Sequence, residues 1–69
     1  MTGTVKSFNE ERGYGFIAVP GGRDIFVHIT ACEEILQAGD VVEYDLFATN
    51  KGPKAANVFV RIRNANQQQ

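Results

Sequence analysis

Hydrophobic and polar residues alternate along most of this chain, and turn-forming residues divide the alternation into short runs. The runs are rich in β-branched and aromatic side chains, a composition typical of strands. Glycine, proline and asparagine stand in the stretches between them, at residues 10–13, 20–22, 38–40 and 50–53. The pattern therefore predicts five β-strands, at residues 5–8, 14–19, 25–29, 41–47 and 55–62.

The connections predict how these strands are arranged. The first three strands are joined by very short turns, so we expect them to form an antiparallel meander. Residues 30–39 predict a single helical turn, with Thr30 as N-cap and Glu33 as its capping-box partner. Five strands in 69 residues favour a small closed or nearly closed barrel, because closure hides edges that an open sheet would leave unpaired.

Alternation assigns the side chains of these strands to two faces. The aliphatic side chains in one phase are numerous enough to fill a small barrel. They are Val5, Ile17, Ile25, Val27, Val42, Leu46, Val58 and Val60, with Tyr44 in the same phase. We expect these residues to form the core.

A second set of side chains lies in the opposite phase and is surplus to this core. It consists of Tyr14, Phe16, Phe26 and His28, which we call the platform. We expect Gly13 and Gly15, which flank Tyr14, to leave this surface open to a flat partner. Aromatic side chains in such a position stack on the bases of single-stranded nucleic acid, with about 1–3 kcal/mol per base.

The composition limits the other functions of the chain. The net charge is −1 and the pI is about 5.7, so nucleic-acid binding would depend on the local arrangement of cations. With Cys32 as the single cysteine and no metal-ligand spacing, we expect no disulfide, metal or other cofactor. His28 has no carboxylate or nucleophile nearby in sequence, and we expect no catalysis. With no apolar leader or membrane span, we expect a cytoplasmic protein.

Four motifs resemble those of the cold-shock domain family, in the family's order and spacing. They are KSFN, RGYGFI, DIFVHI and KGPKAANV, which begin at residues 6, 12, 24 and 51. The resemblance implies an all-β, five-stranded antiparallel barrel of the oligonucleotide-binding (OB) type. We expect this domain to span residues 1–63, and the polar residues 64–69 to form a disordered tail. It also implies binding of single-stranded RNA and DNA in the stress response, as an RNA chaperone or a regulator of transcription or translation.

The resemblance implies roles for individual residues. Lys6 and Arg12 would face phosphates, and Lys51 would supply a further cation in the last loop. The residues that would stack bases are Phe8, Tyr14, Phe16 and Phe26, and His28 would stack or hydrogen-bond at the platform edge. Separately, the phase of the last strand predicts that Phe59, Arg61 and Arg63 point outward, where they would add a ring and two cations or form a solvated edge.

The sequence also departs from the family pattern. Ser7 stands where a tryptophan is usual, Ile29 stands where a further aromatic residue is usual, and the segment 30–39 is shorter than its counterpart. We therefore expect weaker binding over a shorter strand. The alternative is a protein-interaction module that uses the exposed rings as a contact patch, with nucleic-acid binding weak or lost. We expect a monomer, with a dimer through the platform as the alternative, and no membrane contact.

Overall fold

The computed structural model describes residues 1–63, and the predicted tail at 64–69 lies outside them. The described residues form five strands and one short 3-10 helix. In chain order these are β1 (Thr2–Asn9), β2 (Tyr14–Ala18), β3 (Ile25–His28), the 3-10 helix (Ile29–Ala31), β4 (Val41–Thr49) and β5 (Gly52–Ile62). All five predicted strands are present, and β5 begins three residues earlier than expected because Pro53 pairs with Ala48 within the β4–β5 hairpin.

The strands close into a barrel in the order β1-β2-β3-β5-β4. The predicted antiparallel meander of β1, β2 and β3 is confirmed, and β4 pairs antiparallel with β1 and with β5. The predicted five-stranded barrel is confirmed, but its pairing is not antiparallel throughout, because β3 and β5 run parallel and Phe26 lies opposite Lys54. The long connection after β3 and the β4–β5 hairpin bring β5 back in the direction of β3, which makes this pairing parallel.

The core contains most of the residues that alternation assigned to it. The buried hydrophobic residues are Val5, Ile17, Ile25, Val27, Leu36, Val42, Tyr44, Ala55 and Val58, and Val60 packs against them while half-buried. Leu46 was wrongly predicted to be in the core, since its side chain is 43% exposed. Pairing between β1 and β4 covers only Val41–Glu43 of β4, so the far part of the β4–β5 hairpin has no strand beside it on that edge.

The connection after β3 differs from the predicted helical turn. The 3-10 helix has His28 as its N-cap, and the His28 side chain accepts a hydrogen bond from the Thr30 N–H. Glu33 forms no capping box, because its N–H donates to the carbonyl of Val58, 2.9 Å away. Cys32 also forms a parallel bridge with Val58. This segment therefore runs along β5 instead of continuing as a helix.

Asp40 is the buried polar residue of this barrel, with 0% of its surface exposed among residues 1–63. Its carboxylate accepts hydrogen bonds from the Gln37 N–H at 3.0 Å and from the Arg63 guanidinium at 3.1 Å. Its backbone carbonyl accepts from the Val5 N–H at 2.8 Å. Asp40 thus fastens the shortened connection to β1 and to the end of β5.

Candidate nucleic-acid interface

The platform residues lie together on the outer face of β2 and β3. The strand register places Tyr14 opposite His28 and Phe16 opposite Phe26. Tyr14 and Phe26 are stacked, with ring centroids 5.8 Å apart and planes inclined by 30°. Phe16 meets Phe26 edge to face at 6.0 Å and Tyr14 edge to face at 6.5 Å. All of these side chains are half-buried, so the three rings form one apolar surface that still presents area to solvent.

Gly13 and Gly15 have a different role from the one that the sequence suggested. Both residues are buried, and a side chain on either would point at the protein. A β-carbon at Gly15 would overlap the Ser7 carbonyl and lie 2.7 Å from the Cα of Phe8, while one at Gly13 would lie 3.2 Å from a methyl of Ile29. These glycines allow β1 and the 3-10 helix to approach β2 closely, and they do not clear space for a ligand.

His28 is held at the edge of the platform by its contacts with Thr30. Its Nδ1 atom lies 3.2 Å from the Thr30 N–H and 2.9 Å from the Thr30 hydroxyl oxygen. Because a backbone N–H can only donate, Nδ1 is the acceptor, and the neutral ring then carries its proton on Nε2. His28 therefore offers an N–H donor to whatever binds beside it.

Lysine side chains border the aromatic rings on the β4–β5 side. A cleft of about 640 Å³ runs between the platform and the hairpin, and it is lined by Phe16, Phe26, Thr49, Asn50, Lys51, Gly52, Pro53 and Lys54. Lys51 was predicted from the family motif, whereas Lys54 was missed. Lys54 reaches this place only because β5 pairs in parallel with β3, a long-range feature that no local sequence signal indicates.

The other predicted cations differ in how they are engaged. Lys6 forms an ion pair with Asp24, with 2.9 Å between Nζ and the carboxylate, and both side chains are exposed. Exposed pairs of this kind contribute little to stability, about 0–1 kcal/mol, so a phosphate could replace Asp24 at small cost. Arg12 lies in the β1–β2 turn, where its backbone N–H donates to the Asn9 side chain and its guanidinium stays exposed.

The last strand lies apart from the platform rings, whereas Phe8 pairs with Gly15 at their edge. Phe8 is half-buried and packs against the core. Phe59 lies five residues after Lys54 on β5, or roughly 16 Å along the strand, and it pairs with Glu43 of β4. Arg61 lies 3.6 Å from Glu43, while Arg63 is 2.7 Å from Glu34 and 3.1 Å from Asp40. The structure thus does not bring Phe59, Arg61 and Arg63 to the platform.

The departures from the family pattern can be located on this surface. Ser7 is exposed and lies directly opposite Phe16, so it occupies the β1 end of the row that carries the platform rings. Ile29 is half-buried over Gly13 at the start of the 3-10 helix. Cys32 packs against the core, with its sulfur 3.5 Å from the His28 carbonyl, and burial raises the pKa of its thiol. Ile29 and Cys32 thus serve packing, and neither they nor Ser7 adds a ring to the platform.

Residues 1–63 lack two further features. No group of three or more histidine, cysteine, aspartate or glutamate residues there is placed to hold a metal ion. No helix within the same residues is long and apolar enough to cross a membrane.

A five-stranded closed barrel with exposed rings on one sheet face belongs to the OB-type class of folds. The same fold occurs in Drosophila Unr CSD456, with a TM-score of 0.71 and 24% identity over 93% of this chain and 27% of that chain. The chain itself belongs to the cold-shock domain family, because residues 1–61 match the family described as 'Cold-shock' DNA-binding domain.

Bacterial cold shock proteins support this assignment over most of the chain. Cold shock protein CspB of Bacillus caldolyticus is 50% identical over 60 residues, which are 81% of this chain and 91% of that protein. Major cold shock protein CspA of Bacillus anthracis is 47% identical over 63 residues, which are 86% of this chain and 94% of that protein. Family membership confirms the prediction of a nucleic-acid-binding protein of the stress response without catalytic activity.

Proposed function

We propose that this protein binds single-stranded RNA and DNA in the cytoplasm by stacking bases on Tyr14, Phe16 and Phe26. The observation that carries the proposal is the contact between these three rings on one sheet face, beside the lysine-lined cleft. Lys6, Arg12 and Lys51 would contact phosphates, Phe8 would stack at the edge of the site, and the Nε2–H of His28 would donate to a base or phosphate oxygen. Each stacked base would contribute about 1–3 kcal/mol.

This binding would make the protein an RNA chaperone or a regulator of transcription or translation. A base that stacks on the platform presents a free face, which a paired and stacked base in a duplex does not have. The protein therefore binds the unpaired state and shifts an RNA hairpin toward that state by mass action. Weak contacts suit this role, because the strand must be released again.

The test of the proposal is fluorescence anisotropy of a labelled oligopyrimidine at low and moderate salt. Phe16→Ala and Phe26→Ala are each expected to weaken binding by about 1–3 kcal/mol, or roughly 5- to 150-fold, since each removes one stacking ring. Phe59→Ala is the matched control, because it removes an exposed ring that lies apart from the platform. Wild-type affinity should fall steeply as salt rises, as binding through phosphates requires.

Two results would contradict this proposal. An equal loss of affinity in Phe59→Ala would show that the effect is not specific to the platform. Absence of binding to both RNA and DNA at low salt, with circular dichroism showing an intact fold, would leave the rings as a contact surface for another protein.

Ser7→Trp is expected to tighten binding by about tenfold. The indole would lie opposite Phe16 and extend the row of rings by one stacking position, with an expected gain of about 1–3 kcal/mol. Ser7→Leu is the control, since it adds apolar surface without a π-face and should change the affinity by less than about threefold. If both substitutions tighten binding equally, the missing ring does not explain a weak interaction.

A further inference from the structure

The row of side chains that carries the platform rings continues beyond β3. Cα pairing runs from Phe16 on β2 to Phe26 on β3, from Phe26 to Lys54 on β5, and from Lys54 to Phe47 on β4. Residues paired in this way point to the same face of a sheet, so all four side chains lie on the outside of the barrel. Neighbouring strands are about 4.8 Å apart, which places the backbone of Phe47 roughly 10 Å from that of Phe26.

A second cleft lies at Phe47, next to the cleft beside the platform. It has a volume of about 530 Å³ and is lined by Arg23, Leu46, Phe47, Ala48, Thr49, Gly52 and Pro53. Thr49, Gly52 and Pro53 line both clefts, so they form a shared wall between the two. A strand that leaves Phe26 past Lys54 therefore meets the second cleft directly beyond this shared wall.

The side chains of this second cleft are suited to a nucleotide. Phe47 is 52% exposed, a large exposure for an aromatic residue in a strand. Arg23 is exposed in the turn before β3, and its guanidinium has no hydrogen bond or ion pair within residues 1–63. An exposed ring supplies a stacking surface for a base, and a guanidinium with free donors pairs with a phosphate.

We propose that Phe47 and Arg23 form a second stacking site for single-stranded nucleic acid, which continues the path of the strand from the platform over Lys54. The site rests on the proposed function, because the same ligand occupies both clefts. Two observations select a nucleic acid as the occupant. The second cleft shares a wall with the platform cleft, and the cations along the path, Lys54 and Arg23, complement phosphate charge.

The second site extends the bound length of the strand. Phe47 lies two strands beyond Phe26, and this span accommodates about two additional nucleotides. The site therefore contributes to the affinity of long oligonucleotides and leaves that of short ones unchanged. It also offsets part of the stacking area that is missing at Ser7.

The test compares labelled oligothymidylates of about four and about nine nucleotides, titrated with wild type, Phe47→Ala and Arg23→Gln. Both variants are expected to bind the long oligonucleotide about 5- to 30-fold more weakly and the short one within about twofold of wild type. Arg23→Gln should also reduce the slope of log affinity against log salt by about one, for the long oligonucleotide alone. Phe59→Ala and Arg61→Gln are the matched controls and should behave as wild type.

Three other outcomes would contradict the second site, the proposed function or both. Wild-type affinity of Phe47→Ala and Arg23→Gln for the long oligonucleotide excludes the second site and leaves the proposed function standing, provided that the short oligonucleotide binds. Failure of wild type to bind either oligonucleotide rejects the proposed function and the second site together. A dimer in analytical ultracentrifugation that Phe47→Ala dissociates, with no change in nucleic-acid affinity, would assign the ring of Phe47 to a second copy of the chain and overturn the proposal.

Discussion

Gly15→Ala is expected to lower the free energy of unfolding by about 3 kcal/mol, at the upper end of the usual cost of overpacking. Gly15 lies on the inner side of β2, between two platform rings. Its new methyl group would overlap the Ser7 carbonyl and lie 2.7 Å from both the Cα and the ring Cδ1 of Phe8. Two of these three atoms belong to the backbone of β1, so relief requires separation of the β1–β2 pair. For a domain of this size the loss corresponds to a fall in Tm of roughly 12–24 °C.

Thermal unfolding followed by circular dichroism measures this effect, with Gly22→Ala as the matched control. A β-carbon at Gly22 would lie 2.6 Å from a methyl of Val19, a half-buried side chain at the surface that can turn aside. The control should therefore cost less than about 1 kcal/mol. Equal destabilisation by the two substitutions would contradict the close approach of β1 to Gly15, and an unchanged Tm for Gly15→Ala would do so directly.

The strands and most of the core could be predicted because alternation is a local signal. Ile17 and Val27 are buried for the same reason that Phe16 and Phe26 are on the outside, since neighbouring positions of a strand point to opposite faces. The same rule failed for Leu46, which has the inward phase but lies where β4 extends past its pairing with β1. The alternation of side chains gives the face of the sheet on which a residue lies. Whether that residue is buried depends on how far the neighbouring strands extend.

The candidate site divides in the same way into local and long-range parts. The β2 and β3 rings could be predicted because the short turn between these strands fixes which residues face each other. Lys54 and Phe47 could not be predicted, because their place beside Phe26 depends on a parallel pairing between strands that are far apart in sequence. Ion pairing also depends on the fold. Arg61 and Arg63 are exposed, but they lie beside carboxylates that their sequence phase did not indicate.

The chain has a net charge of −1, and its seven basic side chains all lie within residues 1–63. They differ in whether they form ion pairs. Lys6, Arg61 and Arg63 form ion pairs with aspartate or glutamate. Four side chains have no such partner in the described part of the chain, namely Arg12, Arg23, Lys51 and Lys54. Three of these four line the two clefts of the β4–β5 hairpin. Local accumulation of unpaired cations therefore provides the attraction for phosphate that the overall composition lacks.

Asp40→Ala is expected to lower the free energy of unfolding by about 3 kcal/mol, because it removes a buried carboxylate that accepts two hydrogen bonds. The Gln37 N–H would lose its 3.0 Å acceptor, and the Arg63 guanidinium would lose the carboxylate at 3.1 Å. The connection between the 3-10 helix and β4 would then be held less firmly against β1 and β5. Urea unfolding measures the effect, and Asp24→Ala is the control because its ion pair with Lys6 is exposed and contributes less than about 1 kcal/mol.

A double-mutant cycle with Arg63→Gln separates the ion pair from the contact with Gln37. If Arg63 is the main partner of the carboxylate, Asp40→Ala should destabilise the Arg63→Gln background by at least about 1 kcal/mol less than it does the wild type. Additive effects would contradict that coupling, and an Asp40→Ala variant as stable as Asp24→Ala would show that the buried carboxylate does not hold the connection. Neither Asp40 nor Arg63 lines the platform cleft, so the folded fraction of Asp40→Ala should bind an oligopyrimidine as wild type does. The stability that Asp40 provides should therefore be separable from binding at the platform.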